Sequence, residues 1–281
     1  MTVSLSPDEH LAEVLMMRTA DDRTILFVEG ESDCQALDSH IDSECTYSLP
    51  AGGKQTVLKV RDLIRSCQIE RVVFLVDRDL GAPASEGGDD LFVTDFYDLD
   101  ATLFFSADIL GRVVHSHLPR GLVHQLAPAG VVALPVVMGE RLQPLSALRI
   151  VSLTTALHLN LGGFPMDAVL TSDFQIDTEK LCSVAISRTE PRPSRTVEEL
   201  RDAIWLEIRS NSDIALAHCG HDLYSILAAS ARKLRATAGK DALEKAARAA
   251  LNCAELHKFL FVAAMQRWAD DHGTRIWNCW A

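Results

Sequence analysis

Two short apolar runs, each followed at once by acidic residues, dominate the hydrophobic pattern of the first hundred residues. The first, Thr24–Val28, precedes Glu29, and the second, Val72–Val76, precedes Asp77 and Asp79. Uninterrupted apolar runs rich in β-branched and aromatic residues are typical of strands buried on both faces of a parallel sheet. Two helical patterns and one short extended stretch lie between the runs, so the sequence predicts a β-α-β-α-β unit.

The rest of the chain predicts one more strand and then helices. Residues 91–94 form the last strand-like run, and the acidic segment 95–100 follows it directly. Helical periodicity then continues at residues 101–117, 145–159, 177–187, 196–210, 222–234, 241–252 and 254–271. We therefore predict an α/β fold, with a parallel sheet in residues 1–100 followed by a mainly helical domain in residues 101–281.

Two helix starts are marked especially well. Ser6, Pro7 and Glu9 match a capping box with proline at the first helical position, and Thr196 and Glu199 match a second capping box. Because capping residues satisfy the free N–H groups of the first turn, these positions predict where two helices begin.

The candidate chemistry lies at the ends of the apolar strands. In open parallel sheets, ligands bind outside the carboxyl ends of the strands, so Glu29, Asp77 and Asp79 are expected at one edge and within reach of one another. Three carboxylates there repel each other unless a cation with oxygen ligands lies between them. The pattern predicts a Mg²⁺ or Mn²⁺ site for phosphodiester chemistry.

A glycine turn adds a possible anion contact. Gly52 and Gly53 allow close approach of the backbone, and Lys54 follows at the predicted start of a helix, where anions are favoured. The segment is no Walker A loop, since the spacing of that motif is not met. Lys54 either faces a phosphate or is an ordinary solvated lysine. Residues 80–90 predict a loop at the mouth of the site.

The charge distribution is uneven. The net charge of −12 is unusual for a protein that binds nucleic acid, since phosphate contacts favour basic surfaces. Residues 24–100 carry 16 acidic and 6 basic residues, whereas residues 230–275 carry 5 acidic and 9 basic residues. The basic stretch either contacts phosphates or is a solvated helix face. An apolar content of 48% is enough for a hydrophobic core.

The cysteine pattern and the N-terminus indicate a cytoplasmic protein. Seven cysteines are scattered without a CxxC pair, which favours reduced thiols. His218 and His221 flank a short segment that we interpret as a helix start rather than a zinc site, because no second ligand pair has suitable spacing. Residues 1–10 are polar, unlike a signal peptide, and the apolar stretch 131–138 is too short to cross a bilayer.

Together these motifs resemble the Toprim signature. That signature has a glutamate at the end of one strand and a DxD about fifty residues later, as in Glu29 with Asp77 and Asp79. The fold is shared by DnaG-type primases, topoisomerases, RecR proteins and the OLD-family nucleases, and Gly52-Gly53-Lys54 is similar to the glycine-lysine turn of the OLD type. The resemblance covers residues 24–100.

Two later segments narrow the resemblance. Residues 94–100 and 220–223 are similar to motifs of a bacterial Toprim family that includes the nuclease effector paired with an ATPase in the PARIS anti-phage system. The chain differs from the pattern of that family at Asp100, where glutamate is usual, and at His221, where lysine is usual.

The resemblance implies a metal-dependent endonuclease that cleaves DNA or RNA, tRNA included. It implies that Glu29 is a metal ligand or general base, that Asp77 and Asp79 hold the ion, and that Asp33 helps to hold a second one. Lys54 is then the group that stabilises transition-state charge, and Asp100 is a further ligand. For Asp33, an exposed first-turn acid that favours the helix dipole is the alternative.

The resemblance also implies regulation. A toxic nuclease is expected to be controlled by a partner ATPase that senses phage infection, with release or homo-oligomerisation as the trigger, and no membrane contact is expected. Two other functions stay open at this point: a non-catalytic Toprim-like assembly or binding module, and a primase-like nucleotidyl transferase. The apolar C-terminal residues 277–281 are expected to dock on the domain or on a partner.

Overall fold

The structure, a computed structural model, describes residues 5–80 and 89–280. The chain forms two compact units. The first unit comprises Met1–Asp95 and Leu251–Ala281, and the second unit comprises Phe96–Ala250. Most of the predicted loop at residues 80–90 lies outside the described residues.

The first unit contains the predicted parallel sheet. Its four strands are β1 (Thr24–Val28), β2 (Thr46–Pro50), β3 (Val72–Val76) and β4 (Leu91–Val93), in the order β2-β1-β3-β4. All neighbouring strands are parallel. This arrangement confirms the predicted α/β fold class with a parallel sheet.

Helices connect the strands and continue through the second unit. In the first unit they are α1 (Pro7–Met17), α2 (Glu31–Leu37), α3 (Lys54–Ser66), α13 (Cys253–Leu256) and α14 (Leu260–Asp271). In the second unit they are α4 (Leu99–Phe105), α5 (Ala107–His117), α6 (Arg120–Leu126), α7 (Leu134–Thr154), α8 (Met166–Val169), α9 (Thr178–Ser187), α10 (Val197–Ser210), α11 (Gly220–Lys233) and α12 (Lys240–Ala250).

The register of the central strands is fixed by buried aromatic residues. β1 and β3 are buried along their whole length. Phe27 lies opposite Phe74, and their rings stack with centroids 5.6 Å apart. Val57 and Val60 of α3 pack into the same core, as the helical pattern predicted. The fully buried β1 and β3 therefore end side by side at one edge of the sheet.

Local capping signals predicted several helix starts correctly. Ser6 and Glu9 form the capping box of α1, and Thr196 and Glu199 form that of α10. One expected helix, residues 101–117, is instead two helices, because Ser106 ends α4 and its hydroxyl accepts the Ile109 N–H at the start of α5. The signal of a capping serine competes here with a continuous apolar periodicity.

The C-terminal segment differs from the predicted domain boundary. Residues 101–281 were expected to form one helical domain, but Leu251–Ala281 belongs to the first unit. Ile41 pairs with Trp277 in an antiparallel bridge, and Trp277 is fully buried. The expectation that the apolar C-terminus docks on the protein is thus confirmed for Trp277. Hydropathy alone gave no sign of which part of the chain would receive it.

The cysteines also differ from the expectation of reduced thiols. Cys253 and Cys279 form a disulfide. The return of the C-terminal segment to the first unit brings the two sulfurs together, which no spacing pattern in the sequence indicated. Among the described residues, five cysteines are free: Cys34, Cys45, Cys67, Cys182 and Cys219.

The second unit is a helical assembly around α7 and α11. Helices α10, α11 and α4 pack on α7, and Phe104 meets Tyr224 edge-on at 5.0 Å in the interior. By length and composition, Val131–Thr154 is long and apolar enough to cross a membrane, yet half of its apolar window is buried inside the protein.

Candidate functional site

Glu29 lies directly after β1 and is held by its neighbours on both sides. Its Oε1 accepts the Asp77 N–H at 2.8 Å. Its carbonyl oxygen accepts the N–H groups of Gly52 and Gly53 at 2.9 and 2.8 Å. Because β1 and β3 are adjacent and parallel, the predicted meeting of Glu29 with the acidic segment after β3 occurs in the structure.

The glycine turn between β2 and α3 depends on its glycines. Gly52 and Gly53 have φ angles of 83° and 121°, which are strained for any residue with a Cβ. The turn places Lys54 at the first position of α3. The Lys54 side chain contacts the residues after β3, so it is not an ordinary solvated lysine, and a phosphate contact stays a prediction.

Lys54 is the cation at the centre of the acidic edge. Its Nζ donates to the Asp77 carbonyl oxygen at 2.6 Å and to Asp79 Oδ2 at 2.8 Å. The Lys54 side chain is 17% exposed and that of Asp79 is 43% exposed. Asp79 itself has a left-handed backbone, with φ of 51°, a conformation that aspartate tolerates better than most residues. We call Glu29, Lys54, Asp77 and Asp79 the acidic edge.

Burial changes the acidity of Glu29. Its pKa is raised, first because burial disfavours the charged form and also because of the nearby Asp79 carboxylate. The Asp77 N–H and the Lys54 ammonium and N–H act in the opposite direction. A carboxyl group whose pKa is raised at the edge of a parallel sheet has the property expected of a general base or acid.

Arg78, the residue between Asp77 and Asp79, makes two contacts with Thr94 that the sequence did not indicate. Its N–H donates to Thr94 Oγ1 at 3.1 Å, and its Nε donates to the Thr94 carbonyl oxygen at 3.2 Å. These contacts join the chain just after β3 to the residue that follows β4. Thr94 ends the last apolar run before the segment with Asp95, Asp98 and Asp100, and its position beside these three acids was the signal that could have identified it.

Asp33 was expected to be either a metal ligand or an exposed first-turn acid, and in the structure its side chain contacts the backbone at the start of α2. It lies in the first turn of α2, where its Oδ2 accepts the Gly30 N–H at 2.9 Å. Asp95 also caps a helix, because its two oxygens accept the N–H groups of Leu260 and Phe261 at 2.7 and 3.0 Å.

The carboxylate oxygens of Glu29, Asp77 and Asp79 do not all lie within 4.8 Å of one another. Among the described residues, two groups of at least three side chains have their possible ligand atoms all within 4.8 Å of one another. These groups are Asp100, His221 and Glu244, and His40, Cys253 and Cys279. Glu29, Asp77 and Asp79 belong to neither group. In the acidic edge, the Lys54 ammonium supplies the positive charge instead.

The acidic edge nevertheless offers the donors that a hard divalent ion prefers. Its ligands would be carboxylate oxygens, and the half-exposed Asp79 carboxylate is accessible to solvent. An entering ion would compete with Lys54 for Asp79. The donor chemistry fits Mg²⁺ or Mn²⁺. Binding of such an ion requires the Lys54–Asp79 contact to rearrange.

Asp98 and Gly220, one residue from each of the two motifs singled out above, meet in the second unit. Asp98 accepts the Ala101 N–H at 2.6 Å and the Gly220 N–H at 3.0 Å, which joins the starts of α4 and α11. A Cβ on Gly220 would lie 2.5 Å from the Ala101 nitrogen and from Asp98 Oδ1. Only glycine fits this junction, so the geometry explains the glycine of that motif.

Asp100, predicted as a further metal ligand, is held by an arginine in the second unit. Arg248 donates from Nε to Oδ1 at 2.9 Å and from Nη2 to Oδ2 at 2.5 Å. His221 Nδ1 lies 2.7 Å from Glu244 Oε1 and 3.9 Å from Asp100 Oδ2. Both oxygens of Asp100 are thus occupied by a fixed cation, which disfavours the predicted ligand role.

The neighbouring Asp222 is paired in the same way. Arg149 donates from Nε and Nη2 to Asp222 Oδ2 at 2.8 and 2.6 Å. The pKa values of Asp98 and Asp222 are both raised, foremost by burial, and that of Asp98 is about 6. We call Asp98, Asp100, Asp222 and Glu244, together with Arg149, Arg248 and the adjoining exposed His221, the buried ionic network.

The sequence reasoning missed the partners of this network. Glu244 and Arg248 are four residues apart on α12, hence on one face of that helix. Arg149 lies on α7, whose apolar composition drew attention only as a hydrophobic stretch. The spacing of Glu244 and Arg248 was a signal, but nothing in the sequence linked it to Asp100.

Comparison with known proteins adds no relative. No protein-family model matches the chain, and no curated protein is significantly similar to it in sequence.

Proposed function

We propose that the protein is a metal-dependent endonuclease that hydrolyses phosphodiester bonds in nucleic acid at the acidic edge, in the manner of the Toprim nucleases. The observation that carries the proposal is the convergence of Glu29, Lys54, Asp77 and Asp79 at the carboxyl ends of β1 and β3. Those residues are the ones on which the Toprim resemblance rests.

Each residue has a part in the proposed reaction. Asp77 and Asp79, with Glu29, would hold Mg²⁺ or Mn²⁺, which when bound polarises the phosphoryl oxygen and shields the polyanionic substrate. Glu29, with its raised pKa, accepts a proton from the attacking water. Lys54, released from Asp79, faces the negative charge that develops on the phosphoryl group.

The regulatory part of the proposal is carried by the Toprim resemblance. A nuclease of this kind needs control in the resting cell, so we propose a cytoplasmic anti-phage effector held by a partner ATPase. The Lys54–Asp79 contact is compatible with a resting state, because the cation that completes the edge is a side chain of the protein.

One observation favours a second candidate function. The three carboxylates of the acidic edge do not form a group of ligand atoms within 4.8 Å, and Lys54 already neutralises Asp79. A non-catalytic module that binds partners without a metal needs no more than that. The two candidates differ in whether Mn²⁺ binds and in whether Glu29 is required.

An activity assay on matched variants distinguishes them. Purified protein is incubated with Mg²⁺ or Mn²⁺ and with DNA, total RNA or tRNA, and cleavage is measured for wild type, Glu29→Gln and Glu31→Gln. Glu31 is an exposed acid two residues away and serves as the control. We expect Glu29→Gln to slow cleavage by at least about 100-fold and Glu31→Gln to leave it within about twofold.

Two results would support the non-catalytic module instead. One is the absence of cleavage by wild type, both alone and with an ATPase encoded by a neighbouring gene. The other is an absence of Mn²⁺ binding. Binding is measured by electron paramagnetic resonance, because the signal of free Mn²⁺ disappears when the ion binds. Cleavage that is equal in wild type and Glu29→Gln would point to a contaminating nuclease.

A further inference from the structure

A cluster of soft ligands lies in the first unit and has no part in the proposed nuclease reaction. His40, Cys253 and Cys279 place one nitrogen and two sulfurs within 4.8 Å of one another. In the structure the two cysteines form a disulfide, and His40 Nδ1 lies 3.9 Å from the Cys279 sulfur. One imidazole and two thiolates are ligands typical of Zn²⁺.

The distance from His40 suits a shared metal ion. With metal–nitrogen and metal–sulfur bonds of ordinary zinc length, two ligands of a tetrahedral ion lie about 3.5 Å apart. His40 is therefore already near the required separation from Cys279. After reduction, only the two sulfurs need to move apart, since a disulfide holds them closer than two ligands of one ion.

Two of the three ligands, His40 and Cys279, lie on segments that are joined by contacts other than the disulfide. The Asp42 N–H donates to the Ile276 carbonyl oxygen at 2.9 Å, and Asn278 Nδ2 donates to the Ser39 carbonyl oxygen at 3.1 Å. Residue Trp277 is fully buried between these two contacts. The segments that carry His40 and Cys279 are thus fixed side by side by backbone and core contacts.

The state of His40 is also suitable. The side chain is buried, and the neutral imidazole of histidine has a lone pair that can bind a metal. The backbone of Leu251 hydrogen-bonds the same ring. A second hydrogen bond of this kind orients most histidine ligands in metal sites.

We infer that His40, Cys253 and Cys279 bind one Zn²⁺ ion when the two cysteines are reduced, and that the disulfide and the metal are alternative occupants of the same position. A small dithiol reagent reduces the protein: it supplies two electrons and two protons, and the Cys253–Cys279 bond breaks to give two cysteine thiols. The reagent itself becomes a cyclic disulfide. Zn²⁺ then displaces the two thiol protons. Three protein ligands leave a fourth position for water.

The test compares the oxidised and the reduced full-length protein. Dithiothreitol reduces the sample and is removed by desalting under argon, and Zn²⁺ binding is then measured by competition with a chromophoric chelator. We expect one Zn²⁺ per chain in the reduced protein and none at this position in the oxidised protein. Co²⁺ is the second probe, since thiolate ligands give it a charge-transfer absorption band that carboxylate ligands do not.

Variants identify the ligands. Cys253→Ser and Cys279→Ser should each weaken Zn²⁺ binding by at least about 100-fold and weaken the Co²⁺–thiolate band, because even partners outside the ligand shell cost 10- to 100-fold. His40→Gln should weaken binding and leave a thiolate band. Cys67→Ser is the control, since Cys67 is exposed and free and should not affect binding.

Either of two results would overturn the inference. One is reduced wild type that binds no Zn²⁺, a measurement that requires no variant to fold. The other is Co²⁺ that binds without a thiolate band or with the same band in Cys279→Ser. Zn²⁺ held only by the acidic edge would give the second result, which separates this site from the nuclease site.

Discussion

The acidic edge of the first unit and the buried ionic network of the second unit contain the same kinds of residues in opposite settings. In the acidic edge, one lysine faces several acids and Asp79 is 43% exposed. In the network, Asp100 and Asp222 are 12% and 5% exposed, and each has its own arginine. The comparison shows that the partners of an acid, more than its place in a motif, decide whether it is available to a ligand.

The energetic consequences differ accordingly. A buried charge that loses its partner is costly because neither water nor a second cation replaces it. A charge at an accessible strand end can be satisfied by solvent or by an entering ion. Substitutions in the network should therefore change stability, whereas substitutions in the acidic edge should change activity and metal binding.

The largest expected effect is the loss of Arg149. Arg149→Met leaves the Asp222 carboxylate buried without its cation, and we expect a loss of about 3 to 5 kcal/mol in the free energy of unfolding, measured by urea denaturation. The double variant Arg149→Met, Asp222→Leu should recover most of it. Arg232→Met, in an exposed pair with Asp167, should change the free energy by less than about 1 kcal/mol. Equal losses in both single variants would remove the distinction between buried and exposed pairs.

Gly220→Ala should cost about 3 kcal/mol, because the added Cβ meets the Ala101 backbone and the Asp98 carboxylate at the junction of α4 and α11. Gly121→Ala is the matched control. It lies in α6 with open space around its Cβ position, so alanine there should be neutral or stabilising. Thermal unfolding of both variants tests the pair. If Gly220→Ala were as stable as wild type, the close approach at this junction would be disproved.

Lys54→Met tests the acidic edge in two directions at once. Cleavage should fall by about 100-fold, because the cation that stabilises transition-state charge is lost. Mn²⁺ should bind more tightly, because the ion no longer competes with Lys54 for Asp79. The exposed Lys59 of α3 provides the control, and Lys59→Met should alter neither quantity. Weaker Mn²⁺ binding in Lys54→Met would contradict the proposed competition.

The smallest expected effect is a pH dependence of the network. The Asp98 pKa is raised from 3.8 to about 6, so the folded state holds its proton more tightly than the unfolded state. This contribution to stability is complete below about pH 4 and is lost as the pH rises through about 6. Asp98→Asn keeps the oxygen acceptor and removes the titration. Over that interval, wild type should lose about 2 kcal/mol more than the variant. Parallel pH profiles from urea denaturation would refute the shift.

Much of the first unit was predictable because its signals are local. The apolar runs predicted β1, β3 and β4, the short extended stretch between the first two runs predicted β2, and β1 and β3 are buried throughout as expected. The carboxyl-end rule for parallel sheets predicted the meeting of Glu29 with the segment after β3. Neither inference needed a contact between distant residues, since strand order in such a sheet follows from short connections.

The sequence by itself determined the strands, the capped helix starts and the candidate acids, because those depend on residues that are neighbours along the chain. Only the tertiary structure decided what each charge meets. It paired Asp100 with Arg248, tied Lys54 to Asp79, and returned Cys279 to Cys253. The physical reason is that an ion pair or a disulfide depends on distances across the folded chain, and neither periodicity nor spacing encodes those distances.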